Sequence, residues 1–161
     1  MTEKSILVVG IGSAHGDDQA GWRVVQQLQN RIDDHSLSVQ LAKSPVDLLD
    51  WLDGIRHLII CDASRGLGEP GTIHSFRWPS QDFDIETSGT HNLNLTAVLQ
   101  LATELGRLPE VVELHLIEGQ TSAANSEVCP AVGIATEKLV QDLMRQLETT
   151  TVAESCTNDR S

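Results

Sequence analysis

Three polar residues at separate points of the chain, Asp18, Asp62 and His91, could together bind a divalent metal ion. Asp18 follows a short apolar run and a glycine-rich turn, Asp62 ends a second apolar run, and His91 begins a helical pattern. Carboxylate oxygens and imidazole nitrogens are ordinary ligands of divalent transition metals. Three protein ligands leave coordination positions open, so a metal ion already attached to another molecule could still be reached.

Each of these residues also has a purely structural explanation. Asp17, which precedes Asp18, is interpreted as the N-cap of a helix, and acidic residues are favoured in a first helical turn. Asp62 could start a turn after its strand, and His91 could be an ordinary helix residue. The metal-binding hypothesis is therefore tested by whether the fold brings the three residues together.

Short apolar runs alternate with helix-period segments along the chain, which is typical of a parallel sheet covered on both faces. The predicted strands span residues 6–9, 39–41, 58–61, 72–78 and 111–117, and the predicted helices span residues 18–32, 45–52, 91–105 and 130–147. We predict a three-layer α/β/α sandwich with a mostly parallel sheet and one antiparallel edge strand. Residues 1–147 form one domain, and residues 148–161 are expected to be a disordered polar tail. Ligands bind at the carboxyl ends of parallel strands, where all three residues are expected to meet.

The composition excludes several classes of function. The 161 residues carry 23 acidic against 11 basic side chains, a net charge of −12, which disfavours nucleic acid and anionic membranes as partners. No apolar stretch approaches the ~20 residues of a membrane span, so the cytoplasm is the expected compartment. The protein is expected to be a monomer. Three cysteines (Cys61, Cys129 and Cys156) are too widely spaced to indicate a disulfide framework or a zinc site, and Cys61 is expected to be buried.

The glycine-rich turn invites comparison with dinucleotide-binding loops. Gly10 and Gly12 follow the first strand, but the third glycine, Gly16, comes one position late for the GxGxxG pattern. Asp17 and Asp18 would also repel a pyrophosphate at the helix N-terminus. A nucleotide-binding enzyme is therefore disfavoured.

Three segments carry a resemblance to a known family: residues 6–13 (ILVVGIGS) with the acidic pair that follows, residues 58–63 (LIICDA) and residues 88–93 (SGTHNL). Together they resemble the nickel-dependent hydrogenase maturation endopeptidases. The resemblance implies removal of a short C-terminal peptide from the large-subunit precursor of a nickel–iron hydrogenase after nickel insertion. It also implies that Asp18, Asp62 and His91 contact nickel carried by the substrate. Our hypothesis is that docking on this nickel holds the scissile segment near Asp18 and Asp62, the candidate catalytic residues. No permanent metal cofactor is implied.

The chain departs from the family pattern at the first loop. Ser13 stands where the family has asparagine, the segment before the acidic pair is about one residue short, and Gln19 replaces a glycine. His15 in this variant loop is an additional candidate ligand, although an exposed loop histidine is the simpler interpretation.

Two mechanisms and two other functions stay open at this point. Nickel could polarise a carbonyl or activate water, or a carboxylate could act as general base while nickel only positions the substrate. A relative that binds nickel or the precursor without cleaving it is one alternative. A receiver-type signalling domain is another, although such domains need a lysine after the last strand, where this chain has Glu118.

Overall fold

A computed structural model describes residues 5–32, 37–79, 90–120 and 127–157 of the chain. Five strands form one sheet: β1 (Ile6–Ile11), β2 (Leu37–Ala42), β3 (His57–Ser64), β4 (Ile73–Arg77) and β5 (Val111–Glu118). Three α-helices accompany them: α1 (Ala20–Arg31), α2 (Thr90–Glu104) and α3 (Pro130–Thr157). Two 3-10 helices, η1 (Gly16–Gln19) and η2 (Pro45–Asp50), follow β1 and β2.

The strand order is β2-β1-β3-β5-β4, with every neighbouring pair parallel except β4 and β5. This arrangement confirms the predicted mostly parallel sheet with one antiparallel edge strand. Because β1, β3 and β5 run in the same direction, their carboxyl ends lie on one rim of the sheet. Ile11, Ser64 and Glu118 end these three strands and mark that rim.

Each face of the sheet is covered by its own hydrophobic core. On one face, alternate residues of the central strands, such as Leu58 and Ile60, pack with α2 and η2. On the other face, Ile59 and Cys61 pack with α1 and α3. The inward positions predicted for α2 are all buried (Leu95, Val98, Leu99 and Ala102). The alternation of residues along β3 therefore decides which helix layer each side chain meets.

Two glycines, one in β1 and one in α1, let α1 pack directly against the sheet. A Cβ atom on Gly21 would lie 2.4 Å from the carbonyl oxygen of Ile11 and 2.5 Å from that of Cys61. A Cβ atom on Gly10 would lie 2.4 Å from the carbonyl oxygen of Gly21. These glycines serve close contact between the helix and the two central strands, which explains the glycine-rich turn without a nucleotide.

The strands β1, β2 and β3 extend beyond their predicted bounds, so that Asp62 lies inside β3, and three of the predicted helices also differ. The helix predicted from residue 18 is a 3-10 turn up to Gln19 and an α-helix only from Ala20, and the helix predicted at residues 45–52 is the 3-10 helix η2. The last helix continues to Thr157, so residues 148–157 are helical and not irregular; no glycine or proline occurs there to end the helix. Residues 80–89 and 158–161, predicted to be a polar loop and the end of the tail, lie outside the described residues. Among the described helices, none has the length and apolarity that crossing a membrane requires.

Candidate active site

Asp62 is a buried carboxyl group at the rim of the sheet. It lies near the end of β3 with 5% of its surface exposed, on the same face as Leu58 and Ile60. Its Oδ1 atom accepts a hydrogen bond of 2.7 Å from the backbone amide of Ala63. Its Oδ2 atom is buried and has no hydrogen-bond partner among the described residues. Buried carboxyl oxygens are normally paired, so this oxygen is available for a ligand.

The environment of Asp62 favours its protonated form. Burial raises the pKa of this carboxyl from its ordinary 3.8 to about 8, against the opposing effect of the hydrogen bond from Ala63. The negative charge of Asp18 raises the pKa of Asp62 further. The electrostatic influence of Asp18 on Asp62 means that the fold brings these two predicted site residues near each other.

Asp18 lies in η1 and points a carboxylate toward the loop that follows β3. Its Oδ1 atom accepts a 3.0 Å hydrogen bond from the guanidinium of Arg65, and both side chains are about one-third exposed, at 34% and 36%. The backbone carbonyl of Asp18 accepts a bond from the amide of Ser13, which closes the glycine-rich turn. Asp18 is thus accessible at the rim, whereas Asp62 is buried beside it.

His91 is the second residue of α2, the helix that covers the sheet face to which Asp62 belongs. Its backbone therefore lies at the start of the helix that packs on the same side of the sheet as Asp62. Its side chain lies outside the described part of the structure. Among the side chains that are described, no three His, Cys, Asp or Glu residues form a group that could hold a metal ion. Binding of nickel by Asp18, Asp62 and His91 accordingly stays a prediction. His15 is exposed, as the simpler interpretation has it.

The interpretation of Asp17 as a helix cap is wrong. The N-cap position of η1 is His15, and no side chain caps that helix. Asp17 is instead fully buried, with Oδ2 accepting a 2.7 Å hydrogen bond from the amide of Gln120 and Oδ1 a 2.8 Å bond from the amide of Cys129. The acidic residue therefore ties the loop after β1 to the end of β5 and to the start of α3. Sequence alone does not show this role, because the partners are more than 100 positions away.

Glu118, at the end of β5, is another buried carboxylate at the rim. The sequence pattern did not identify it as a positioning residue. It is 2% exposed and accepts a 2.9 Å hydrogen bond from the hydroxyl of Ser64. The backbone amide of Leu67 also donates to both of its carboxylate oxygens at 3.3 Å. Glu118 therefore fixes the turn after β3, and it occupies the place where a receiver domain would carry its lysine. The only available signal was an acidic residue ending a buried strand.

A separate polar cluster lies on the opposite face of the sheet. Glu113 bonds to the ring of His57 and accepts a 2.7 Å hydrogen bond from Gln146, while the ring of His115 bonds to the hydroxyl of Ser75 at 2.8 Å. Burial raises the pKa of Glu113, but these hydrogen bonds and the neighbouring histidines lower it overall. His57 and His115 belong to the α1 and α3 side, so this cluster stabilises the core and contributes nothing to the rim.

Cys61 is buried, as the sequence predicted, and it lies on the sheet face opposite to that of Asp62. Burial raises the pKa of its thiol far above the ordinary value, with further increases from the charges of Asp62 and Glu113. A thiol in this state is not a nucleophile at neutral pH. The carboxylates of the rim therefore remain the candidate catalytic groups.

The sequence profile of a family described as hydrogenase maturation protease matches residues 22–146. The solved structure of the hydrogenase-maturating endopeptidase HybD from E. coli is 25% identical and superposes with a TM-score of 0.76, covering 91% of this chain and 93% of that one. The hydrogenase maturation protease HybD from Thermococcus kodakarensis is 18% identical, with a TM-score of 0.73 and coverage of 88% and 98%. No curated protein sequence matches the chain significantly.

The matched range determines which site residues the family comparison includes. Asp62 and His91 fall inside residues 22–146, whereas Asp18 and the variant loop before it lie just outside. The assignment of Asp18 therefore depends on its position beside Asp62 and on the likeness of the whole fold.

Proposed function

The chain belongs to the hydrogenase maturation protease family and is a hydrolase acting on peptide bonds; from this premise we propose how it selects its substrate. The substrate is the large-subunit precursor of a nickel–iron hydrogenase, and the reaction removes a short C-terminal peptide from it. Nickel already inserted in the precursor acts as the recognition signal and is part of the substrate. Two finer statements belong to the same proposal, namely that the protein acts as a monomer and that it acts in the cytoplasm.

The observation that carries the proposal is the buried Oδ2 atom of Asp62, which has no hydrogen-bond partner among the described residues. Nickel accepts mixed oxygen and nitrogen ligands, which Asp18, Asp62 and His91 would provide. Three protein ligands leave positions for the groups by which the precursor holds the metal. Docking in this way would hold the scissile segment beside the two carboxylates, where hydrolysis takes place.

The protonation state of Asp62 would couple docking to proton release. With a pKa of about 8, the carboxyl of the free protein keeps its proton near neutral pH. A divalent cation needs the deprotonated oxygen, so binding of the substrate metal would displace this proton. Without the cation, Asp62 stays uncharged, so only a precursor that carries the metal gains the contact between metal and carboxylate.

Intact-mass spectrometry of the large-subunit precursor tests the proposal. We expect loss of a C-terminal peptide when nickel-loaded precursor is mixed with the protein, and no change for nickel-free precursor. Asp62→Asn should abolish the loss because asparagine is a poor nickel ligand. Asp50→Asn, which changes an exposed aspartate of η2, is the matched control and should process normally.

The outcomes separate the proposed protease from the alternatives. Normal processing by Asp62→Asn would contradict the role of the carboxylate, and cleavage of nickel-free precursor would contradict recognition of the metal. Nickel-dependent binding of the precursor without any change of mass would instead identify a binding relative that does not cleave. The variant loop from Ser13 to Gln19 would then be the first segment to exchange for the family's ordinary sequence.

A further inference from the structure

Arg65 is the basic side chain in hydrogen-bond contact with a predicted nickel ligand. Its guanidinium donates to Oδ1 of Asp18 at 3.0 Å, on the rim where the cation of the substrate would dock. We infer that Arg65 is a specificity-determining residue: it occupies the cation position of Asp18 in the free protein and must leave it when precursor-bound nickel docks. The inference rests on the proposed function and adds a residue outside the three predicted ligands.

The backbone on both sides of Arg65 is fixed by the end of β5. The hydroxyl of Ser64 donates to buried Glu118, and the amide of Leu67 donates to the same carboxylate. The amide of Gly119 also donates to the carbonyl of Ser64 at 2.9 Å. These bonds hold the turn from both ends, so the guanidinium of Arg65 is presented to Asp18 from a defined position.

The ion pair between Arg65 and Asp18 is weak enough for a metal ion to replace the guanidinium. Both side chains are about one-third exposed, and ion pairs of this kind contribute little to stability because water competes with them. Arginine also carries a permanent positive charge, so it opposes a second cation at the same carboxylate at any physiological pH. A divalent ion that binds Oδ1 of Asp18 must therefore displace the guanidinium.

Competition from Arg65 weakens the binding of free nickel more than the binding of nickel that a precursor carries. A nickel ion in solution gains only the ligands of the site and bears the full cost of displacing Arg65. Nickel in a precursor arrives with the additional contacts of a folded protein surface, which offset that cost. Arg65 thus reduces capture of free nickel while permitting docking of the loaded precursor.

Isothermal titration of the full-length free protein with Ni²⁺ alone tests the inference. Arg65→Gln is expected to bind Ni²⁺ roughly tenfold more tightly than the unchanged protein, because the competing charge is gone. Arg65→Lys keeps the charge and should stay within about threefold of the unchanged protein. The matched control is Arg107→Gln, which removes the positive charge of an arginine that pairs with Asp53. This variant should bind Ni²⁺ with the affinity of the unchanged protein. In an Asp18→Asn background, Arg65→Gln should have no effect.

Several results would overturn the role of Arg65. These are unchanged or weaker Ni²⁺ affinity in Arg65→Gln, an equal gain in Arg107→Gln or Arg65→Lys, or a gain that persists in the Asp18→Asn background. Absence of measurable binding in every variant also overturns it, since the expected gain is then missing. Because this titration contains no precursor, its failure alongside nickel-dependent processing would refute only the inference. Normal processing by Asp62→Asn would refute the proposed function instead.

Discussion

Replacing the buried carboxyl group of Asp62 with an amide should stabilise the fold, and the gain should grow with pH. The pKa of Asp62 is about 8 in the folded protein, against 3.8 for an ordinary aspartate. Between these two values the folded state keeps a proton that the unfolded chain has lost. The free energy of unfolding therefore falls as pH rises through this window, and below pH 3.8 the group has no effect.

The size of the effect follows from the difference in pKa. Each unit of pH inside the window changes the free energy of unfolding by about 1.36 kcal/mol. Raising the pH from about 5 to about 7.5 should thus cost the unchanged protein roughly 3 kcal/mol through Asp62 alone. Asp62→Asn cannot ionise, so its stability should lack this slope. Because Asp62 is only 5% exposed, water offers little screening of the charge.

Urea unfolding followed by circular dichroism at several pH values between about 5 and 8 measures the difference directly. The stability of Asp62→Asn relative to the unchanged protein should increase steadily across this range. Asp50→Asn, which changes an exposed aspartate, is the control variant. Its stability should vary with pH as that of the unchanged protein does. A pH-independent difference, or a variant that is less stable at pH 8 than at pH 5 relative to the unchanged protein, would refute the raised pKa of the buried carboxyl at residue 62.

Three further predictions concern the packing around the rim and the end of the chain. Asp17→Ala should lower the free energy of unfolding by about 2–4 kcal/mol, because two partly buried backbone amides lose the buried carboxylate that accepts their hydrogen bonds. Gly21→Ala should cost ~3 kcal/mol or more, since its Cβ atom would lie 2.4 and 2.5 Å from two carbonyl oxygens. Gly133→Ala, a helical position with no neighbour within 4 Å of the added atom, should instead stabilise by about 0.5–1 kcal/mol. Deleting residues 150–161 should change stability by less than ~1 kcal/mol, because Leu147 is the last α3 residue of the described core.

The free energies of unfolding obtained from urea unfolding curves test all three predictions. A neutral Asp17→Ala would mean that the two amides find water or another acceptor. Similar effects of Gly21→Ala and Gly133→Ala would contradict the close approach of α1 to β1 and β3. A large loss of stability in the truncated chain would show that the helix beyond Leu147 packs against the domain.

The sequence pattern predicted the fold because the spacing of apolar residues within a strand or helix is a local property of the chain. The run at residues 58–61 is apolar on consecutive positions, as a strand covered on both faces must be. Leu95, Val98, Leu99 and Ala102 recur at helical spacing and are buried in α2. The last helix extends ten residues beyond its predicted end, because residues 148–157 are polar but contain neither glycine nor proline to end a helix.

The candidate site was only partly predictable. A strand that ends in aspartate at a parallel-sheet rim identified Asp62, and an acidic pair after β1 identified Asp18. The role of Asp17 within that pair was assigned wrongly, because Asp17 is held by amides of residues 120 and 129 that no local pattern connects to it. The same holds for Arg65, whose contact with Asp18 spans 47 positions.

The sequence by itself determined the alternation of strands and helices, the family resemblance and the residue types available for binding a metal. These depend on near neighbours along the chain. Only the tertiary structure decided that Asp62 is buried with one oxygen that no other described residue contacts by a hydrogen bond, that Asp17 links three segments, and that Glu118 holds the turn carrying Arg65. Burial and hydrogen bonding depend on which distant segments meet, and a pKa shift follows from that environment and not from residue type.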